Sequence, residues 1–344
     1  MKILVIGKFL DSSKLTGVER SAIEGTNALA ALQHNVCVLG NKDSKFIKFL
    51  DPAISVIHQP KSSNIISEIW KFSQNAKRLK ADVIINFHSF PLLTKTKQFV
   101  CVHDLAFFFY RKMFTKNQIL KLVTMHAALS FWPRVKVFCP SKQTQMDWAK
   151  VFPHARNRAY YLPWGIDHLA SPQEYEKKNS TSDYLLTIGT IQPRKNYKLL
   201  IDLAKQLGDV KIKIVGKPGW LSDNIVNDLT AVDNIYLLSS IDDNMLVNLI
   251  DNSIGGIFTS LYEGFCFPVY EMNLRGKICL IPDNSAFKDC PKVNIVYRTN
   301  NLDSLVSAVS SLRKSSNRTK VFPSELSMLG WKNFAVNLQA LFIK

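Results

Sequence analysis

Two short stretches of the sequence hold residues whose types and spacing suit chemistry. In Thr187–Asn196, TIGTIQPRKN, an apolar run ends at Gly189, Pro193 sets a turn, and Arg194 and Lys195 follow beside the start of a predicted helix. Backbone N–H groups at a helix start, a guanidinium fork and an ammonium would converge there on one anion, and a diphosphate fits. In Ser260–Gly276, SLYEGFCFPVYEMNLRG, Glu263 lies in a loop after the run GIFTS. Glu271 falls in the first turns of a helix that begins near Pro268 and ends at Gly276. Two carboxylates, one from a loop and one from a helix, suit the hydroxyls of a sugar and a ribose, because each accepts several hydrogen bonds at once. Taken singly, the Arg-Lys pair also fits a solvated turn, and each glutamate a solvated surface.

The elements that must position these residues read as α/β. Short apolar runs alternate with helical patterns almost from end to end, the signature of mostly parallel sheets with crossover helices. In the first half the strand candidates are Lys2 to Ile6, Asn35 to Leu39, Val83 to Phe87, Phe99 to Val102 and Val135 to Cys139. From Tyr184 the alternation restarts with YLLTIG, KIKIVG, NIYLL, GGIFTS and KICLIP, separated by helices such as Lys198 to Leu207 and Asn244 to Asp251. Gly165 to Asp183 is polar and aperiodic, so the boundary is placed there: a first domain over 1–167, a second over 168–325, and a terminal helix over 326–344 on which Trp331, Phe334, Leu338 and Leu341 recur at helical spacing. Two doubly wound units facing one another leave a cleft, a usual place for a ligand.

A length of 344 residues and 47% hydrophobic content support two folded cores and exclude a disordered chain. No apolar run reaches the roughly 18 to 20 residues of a membrane span, and MKILVIGKFL reads as a first buried strand rather than a leader. The expectation is a cytoplasmic protein, soluble or peripheral. The cysteines Cys37, Cys101, Cys139, Cys266, Cys279 and Cys290 show no metal-ligand or redox spacing and read as buried thiols. Residues 1–167 carry 24 Lys and Arg against 10 Asp and Glu, net +14, whereas 168–344 carry 20 against 17, net +3. The basic first half points to an anionic partner: nucleic acid, acidic lipid or a phosphorylated acceptor. Aromatic and basic residues mix in Phe107 to Lys116, FFFYRKMFTK, and along Trp70, Lys71, Lys77, Arg78 and Lys80, a pattern suited to an anionic membrane and equally to a solvated helix face.

The joint pattern of strand, Pro-Arg-Lys-Asn, helix, strand, Gly-Lys-Pro-Gly, then strand, Glu-Gly-Phe and a second Glu resembles the family 4 retaining glycosyltransferases of GT-B fold, nearest the bacterial mannosyltransferase-like branch that builds surface polysaccharides. The resemblance is strongest from Tyr184 to Pro282. It implies two Rossmann-like domains facing across a cleft, with the C-terminal helix packing back toward the N-terminal domain. It also implies an N-terminal domain that faces acceptor and membrane, and a C-terminal domain that binds the nucleotide sugar. Thr16-Gly17-Val18-Glu19-Arg20 resembles the family's glycine loop, where Gly17 approaches the donor phosphate or acceptor. His103 in Val102–Ala106 looks like the histidine that reaches the donor sugar. Cys139-Pro140-Ser141 is similar to a strand-to-helix turn of the family, and Leu162–Asp167 resembles the approach to its hinge. The chain departs from the pattern at Thr16-Gly17, at Cys266 where the family often has Gly, and at Ala286-Phe287-Lys288-Asp289 where Leu-Pro-Glu is expected.

On this reading Arg194 and Lys195 stabilise the departing diphosphate, Glu263 orients the sugar and Glu271 the ribose. Gly189, Thr190, Gly216, Lys217, Gly264, Phe265 and Cys266 lie around the donor, which is GDP-mannose or another nucleotide-diphosphate hexose. With no Asp-x-Asp motif, the two cations stand in for a divalent metal, so no metal and no cofactor are expected. The acceptor is a glycan or lipid-linked oligosaccharide at the inner face of the cell membrane. Two rivals remain at this stage. A sugar-nucleotide-binding subunit without turnover carries the same motifs. A nucleic-acid-binding protein explains the charge, yet no recognition module appears, and nucleic acid is not expected as a partner.

Overall fold

The computed structural model describes residues 1–13, 15–60, 62, 64–169, 183–239, 241–315 and 324–343. The expected domain boundary falls largely on 170–182, outside the described residues. The chain divides into two compact units. Unit 1 comprises Met1–Phe108, Lys116–Gly165 and Leu329–Lys344; unit 2 comprises Phe109–Thr115 and Ile166–Met328.

Unit 1 holds strands β1 (Lys2–Gly7), β2 (Asn35–Gly40), β3 (Ser55–His58), β4 (Val83–Asn86), β5 (Lys97–Cys101), β6 (Val135–Cys139) and β7 (Ala159–Tyr161), with helices α1 (Gly17–Ala31), α2 (Ile65–Leu79), α3 (Ala106–Phe109), α4 (Lys116–Phe131) and α5 (Lys142–Val151) between them. Unit 2 holds β8 (Tyr184–Ile188), α6 (Tyr197–Gln206), β9 (Lys211–Val215), α7 (Asp223–Thr230), β10 (Ile235–Leu238), α8 (Asp243–Asp251), β11 (Gly255–Ile257), α9 (Phe267–Leu274), β12 (Cys279–Pro282), β13 (Ile295–Tyr297) and α10 (Leu302–Ser315). A last helix, α11 (Trp331–Ile343), belongs to unit 1.

Both sheets are parallel, in the orders β3-β2-β1-β4-β5-β6-β7 and β10-β9-β8-β11-β12-β13. Each therefore reverses direction once, between β1 and β4 and between β8 and β11. Ligands of such sheets bind beyond the carboxyl ends of the strands at that reversal. The strands read in the sequence form, but β3, β7 and β13 were missed. They are three or four residues long, too short to show a period, and β3 and β13 are edge strands with exposed residues.

Adjacent strand residues face opposite sides of the sheet, and unit 2 uses this to build two cores. Leu185 and Leu280 pack under α6 and α10 with Leu203, Leu305 and Leu312, while Leu186 and Ile281 pack under α9 with Val269 and Met272. In unit 1, Leu4, Ile6 and Ile84 lie against Phe72 and Ala76 of α2. The other face is closed by aromatic rings: Phe87, Phe138 and Trp164 meet Trp331 and Phe334 of α11, with Trp164 to Phe334 centroids 5.1 Å apart. The terminal helix thus completes the core of unit 1.

Gly165, the last unit 1 residue before the chain passes into unit 2, is shaped by this closure. A Cβ there would stand 2.4 Å from the Trp331 backbone N and 2.5 Å from its Cγ. Overpacking of that kind costs about 2 kcal/mol or more. Gly165→Ala is therefore expected to lower the free energy of urea unfolding by that amount, seen as a lower midpoint. Gly208→Ala, where a Cβ meets nothing within 4 Å, is expected to stay within about 0.5 kcal/mol of the parent. Equal midpoints for the two variants would show that α11 does not seal this core.

Candidate active site

The two chemistry-bearing stretches are the loops after β8 and β11, the strands that flank the reversal of the unit 2 sheet. Pro193–Lys195 forms a short 3-10 turn, and Asn196 adopts a left-handed conformation before α6 begins at Tyr197. Arg194 and Lys195 thus lie in a turn of their own just ahead of α6, where the backbone N–H groups of Lys195 and Asn196 donate to Gln192 O (3.0 Å) and Pro193 O (3.1 Å). The left-handed Asn196, which the sequence does not mark, stands between that turn and the helix.

That turn is stitched to the loop after β11. Leu261 N donates to Arg194 O (2.9 Å), and Thr259 Oγ1 donates to Lys195 O (2.7 Å). Side chains continue the seam. Arg194 Nη1 donates to Tyr262 O (2.9 Å) and to Glu263 Oε2 (2.8 Å), and Lys195 Nζ donates to Glu263 Oε1 (2.5 Å). With its amide oxygen turned toward Arg194, Gln192 accepts from Nη2 (3.0 Å) and Nε (2.8 Å). Burial alone would raise the Glu263 carboxyl, but Arg194 and Lys195 outweigh it and hold the group at about 2. The structure brings these three residues together as ion pairs, and Gln192 and the Tyr262 carbonyl, which the sequence does not mark, join them.

The glycines answer to close backbone approach. Gly189, at φ 154°, faces the Lys195 side chain, and a Cβ on Gly216 would fall 2.0 Å from the Gly189 carbonyl oxygen. Ile191 N donates to Lys217 O (2.9 Å) and Gly219 N to Ile191 O (2.9 Å), so Gly-Lys-Pro-Gly runs as a short ladder beside the Thr190 loop. Gly264 leads into Phe265, which stacks on Tyr270 at 4.4 Å with planes 5° apart. Cys266, at φ 58°, caps α9 in the left-handed region, which explains why glycine suits this position. Ala286 and Phe287 are buried beneath α9, filling the place of the expected Leu-Pro-Glu.

Glu271 is buried on α9 and accepts from His168 Nε2 at 3.0 Å. His168 carries no motif in the sequence. The segment Phe109–Thr115 also belongs to unit 2 and braces the Glu263 loop: Phe109 stacks on Tyr262, Tyr110 Oη donates to Leu261 O (3.2 Å), and Phe114 stacks on Trp220. The rings of Phe107 and Phe108 pack on His126 and Phe152. These aromatics take part in packing, while Phe109 keeps 38% of its surface exposed and Arg111, Lys112 and Lys116 are exposed beside it. Trp70, 56% exposed, and Ile66, 78% exposed, remain on α2.

In unit 1, Gly17 is the first residue of α1 within a capping box formed by Thr16 and Glu19, so this loop has a helix-capping task. His103 Nε2 lies 2.7 Å from Phe87 O; a carbonyl only accepts, so Nε2 carries the proton and Nδ1 is the acceptor nitrogen. Burial lowers its pKa, opposed by the Phe87 carbonyl and by Asp104 and Glu19. His88, after β4, went unmarked in the sequence. Burial, with His103 and Lys8 nearby, lowers it to about 3, and its buried Nδ1 has no hydrogen-bond partner among the described residues.

Because the folded Glu263 value lies below the ordinary 4.5, its stabilisation is complete above about pH 5 and is lost as pH falls toward 2. Linkage puts it at about 3 kcal/mol. The stability gap between the parent and Glu263→Gln, measured by urea unfolding, is expected to shrink by about half between pH 7 and pH 3. A gap that does not change over that range would mean the two cations do not hold the carboxylate.

Among the described residues, no three His, Cys, Asp or Glu side chains gather as a metal cluster, and no helix is long and apolar enough to cross a membrane. Residues 15–168 match the glycosyltransferase family 4 domain, and residues 172–322 match the glycosyl transferases group 1 domain. Over 120 residues, 33% of this chain, the sequence is 28% identical to the serotype-specific mannosyltransferase WbdA of Escherichia coli, a match that spans 15% of that protein's length. WaaG, a glycosyltransferase involved in lipopolysaccharide biosynthesis, superposes with a TM-score of 0.68 at 14% identity, over 98% of this chain and 99% of its own. Anabaena HepE in complex with UDP and glucose superposes with a TM-score of 0.66 at 17% identity, over 99% and 95%. With matched domains over both halves, two parallel α/β sheets and structural neighbours of this kind, the chain belongs to the family 4 glycosyltransferases of GT-B fold.

Proposed function

We propose that the chain transfers a hexose, mannose in the first instance, from a nucleotide-diphosphate donor with retention at the anomeric carbon, in the synthesis of a surface polysaccharide. The observation that carries this reading is the buried Glu263 clamped by both Arg194 and Lys195 at the reversal of the unit 2 sheet. Departure of a diphosphate builds negative charge, and fixed cations stabilise that charge without reorganising. Lys195 meets the diphosphate directly, as one of its three N–H groups serves Glu263. Arg194 adds its charge and holds Glu263, whose carboxylate orients the sugar hydroxyls. Glu271 takes the ribose. Gly189, Thr190, Gly216, Lys217, Gly264, Phe265 and Cys266 form the backbone around the donor, and the neutral His103 offers Nδ1 to a hydroxyl. Gly17 lies near the phosphate or acceptor. The donor phosphate itself helps to take the proton of the acceptor hydroxyl.

The mannosyl assignment draws on the partial likeness to WbdA, and the nucleotide-diphosphate hexose on the UDP and glucose of HepE. Two resident cations make a divalent metal dispensable. The acceptor is a glycan or a lipid-linked oligosaccharide, bound by residues 1–167, and the enzyme works at the cytoplasmic face of the cell membrane. There α2 meets anionic lipid: Ile66, Trp70 and Lys77 fall along one exposed face, with Arg78 beside them.

Incubation with GDP-mannose, and with UDP-hexoses beside it, is expected to release the nucleoside diphosphate in EDTA as fast as in Mg²⁺. Proton NMR of the product is expected to show the donor's anomeric configuration, and Lys195→Ala to lower kcat by about 10² to 10³. A strict metal requirement, or inversion, would discard that part of the mechanism.

Vesicles rich in phosphatidylglycerol are expected to sediment the parent at low salt and to leave Ile66→Ser/Trp70→Ser in the supernatant. Equal sedimentation of the two proteins would remove α2 from the membrane contact.

A further inference from the structure

The turn Asp167–Leu169 is the first element after the chain re-enters unit 2 at Ile166, and it lies on the helix that carries Glu271. His168 Nε2 approaches Glu271 Oε1 at 3.0 Å, and Phe267 of the same helix meets the imidazole edge-on at 5.8 Å and 81°. The side chain of His168 is 3% exposed and that of Glu271 10%, so what access the pair keeps to solvent is on the glutamate. A carboxylate oxygen only accepts, so Nε2 is the donor in the bond.

Attachment of the turn to α9 does not depend on this histidine. Arg275, one helical turn beyond Glu271, donates from Nη1 to Leu169 O (3.1 Å), while its Nε donates to Asp251 Oδ1 (2.6 Å). The imidazole bond therefore has a separate consequence. A carboxylate is planar, so a hydrogen bond to one oxygen restricts its rotation and biases the direction of the second before a ligand arrives.

We infer that His168 is a positioning residue that fixes Glu271 for a ribose, making the site selective for ribonucleotides over nucleotides that lack the sugar's 2′ and 3′ hydroxyls. The inference rests on the donor-site reading above, in which Glu271 takes the ribose. A merely structural histidine would weaken all nucleotides alike when lost. A positioning histidine acts only on the hydroxyls that Glu271 receives, because a dideoxyribose gives the carboxylate nothing to hold.

The test is calorimetric titration of the full-length protein with GDP and UDP and with their 2′,3′-dideoxy counterparts. The parent, His168→Leu and His168→Gln are compared, the last keeping an amide Nε2 donor. The parent is expected to prefer the ribose form of whichever nucleotide it binds by about tenfold or more. His168→Leu is expected to lose most of that preference through weaker binding of the ribose form alone, and His168→Gln to restore it. Equal weakening of both forms, or an unchanged preference in His168→Leu, would overturn the positioning role while leaving the donor site in place. If the parent binds none of the four nucleotides, the donor-site reading falls and the inference with it. Thermal melts of both variants separate these results from misfolding.

Discussion

The bridge from Glu263 to Arg194 and Lys195 is the interaction on which the rest of unit 2 depends. Isolated buried charges are costly, and they persist only when paired and hydrogen-bonded on all sides. Here each member of the trio is held from more than one direction: Glu263 by two cations, Arg194 by Tyr262 O and Gln192, and Lys195 through its own carbonyl by Thr259. The loops after β8 and β11 are consequently one structure rather than two. Their strands lie side by side in the sheet, Gly255 opposite Leu185 and Gly256 opposite Leu186, so the ladder places the loops before any charge is paired. The trio keeps a net positive charge, and an anion that arrives finds donors already oriented.

Which of these features were legible in the sequence follows from how local their causes are. The central strands announce themselves because burial on both faces demands continuous apolar runs, as in Ile3–Ile6 and Ile84–Ile85. Arg194, Lys195 and Glu263 were legible as a set, since each sits in a strand-to-helix loop with turn residues on both sides. His168 was not, for its role is created by a contact 103 residues away on α9. Nor did the sequence reveal the fate of Phe107 to Lys116. Aromatic and basic residues in alternation do not announce in the sequence that Phe109 and Phe114 find ring partners as distant as Tyr262 and Trp220.

Departures from the family pattern take on physical content at Cys266. The backbone there is left-handed, a conformation that costs a residue with a Cβ about 1 kcal/mol or more. The chain accepts that cost and gains a buried thiol in the core that also holds Val269, Met272 and Cys279. The loop after β11 thereby acquires an apolar anchor that glycine cannot give. Phe265, stacked on Tyr270, acts in the same sense one residue earlier, and Phe287 closes the core from below. Packing thus takes over part of what glycine geometry does elsewhere in the family, and it does so without disturbing the charged trio next to it.

The two units share a strand order but put different chemistry at the same topological place. In unit 2 the reversal point is charged, with a carboxylate and two cations. In unit 1 the loop after β1 holds Lys8, paired with Glu68 and Asp11, the loop after β4 holds His88, and the loop after the neighbouring β5 holds His103; burial keeps both histidines neutral. A neutral imidazole with an acceptor nitrogen suits a hydroxyl and is poorly suited to a phosphate. The surplus of 14 positive charges in residues 1–167 is therefore not concentrated where these histidines lie, and residues such as Lys77, Arg78 and Lys80 carry it on exposed surface. The buried neutral imidazoles and the exposed basic residues are separate features of the same unit. An acceptor with a sugar hydroxyl at one end and an anionic or membrane-bound anchor at the other would engage both.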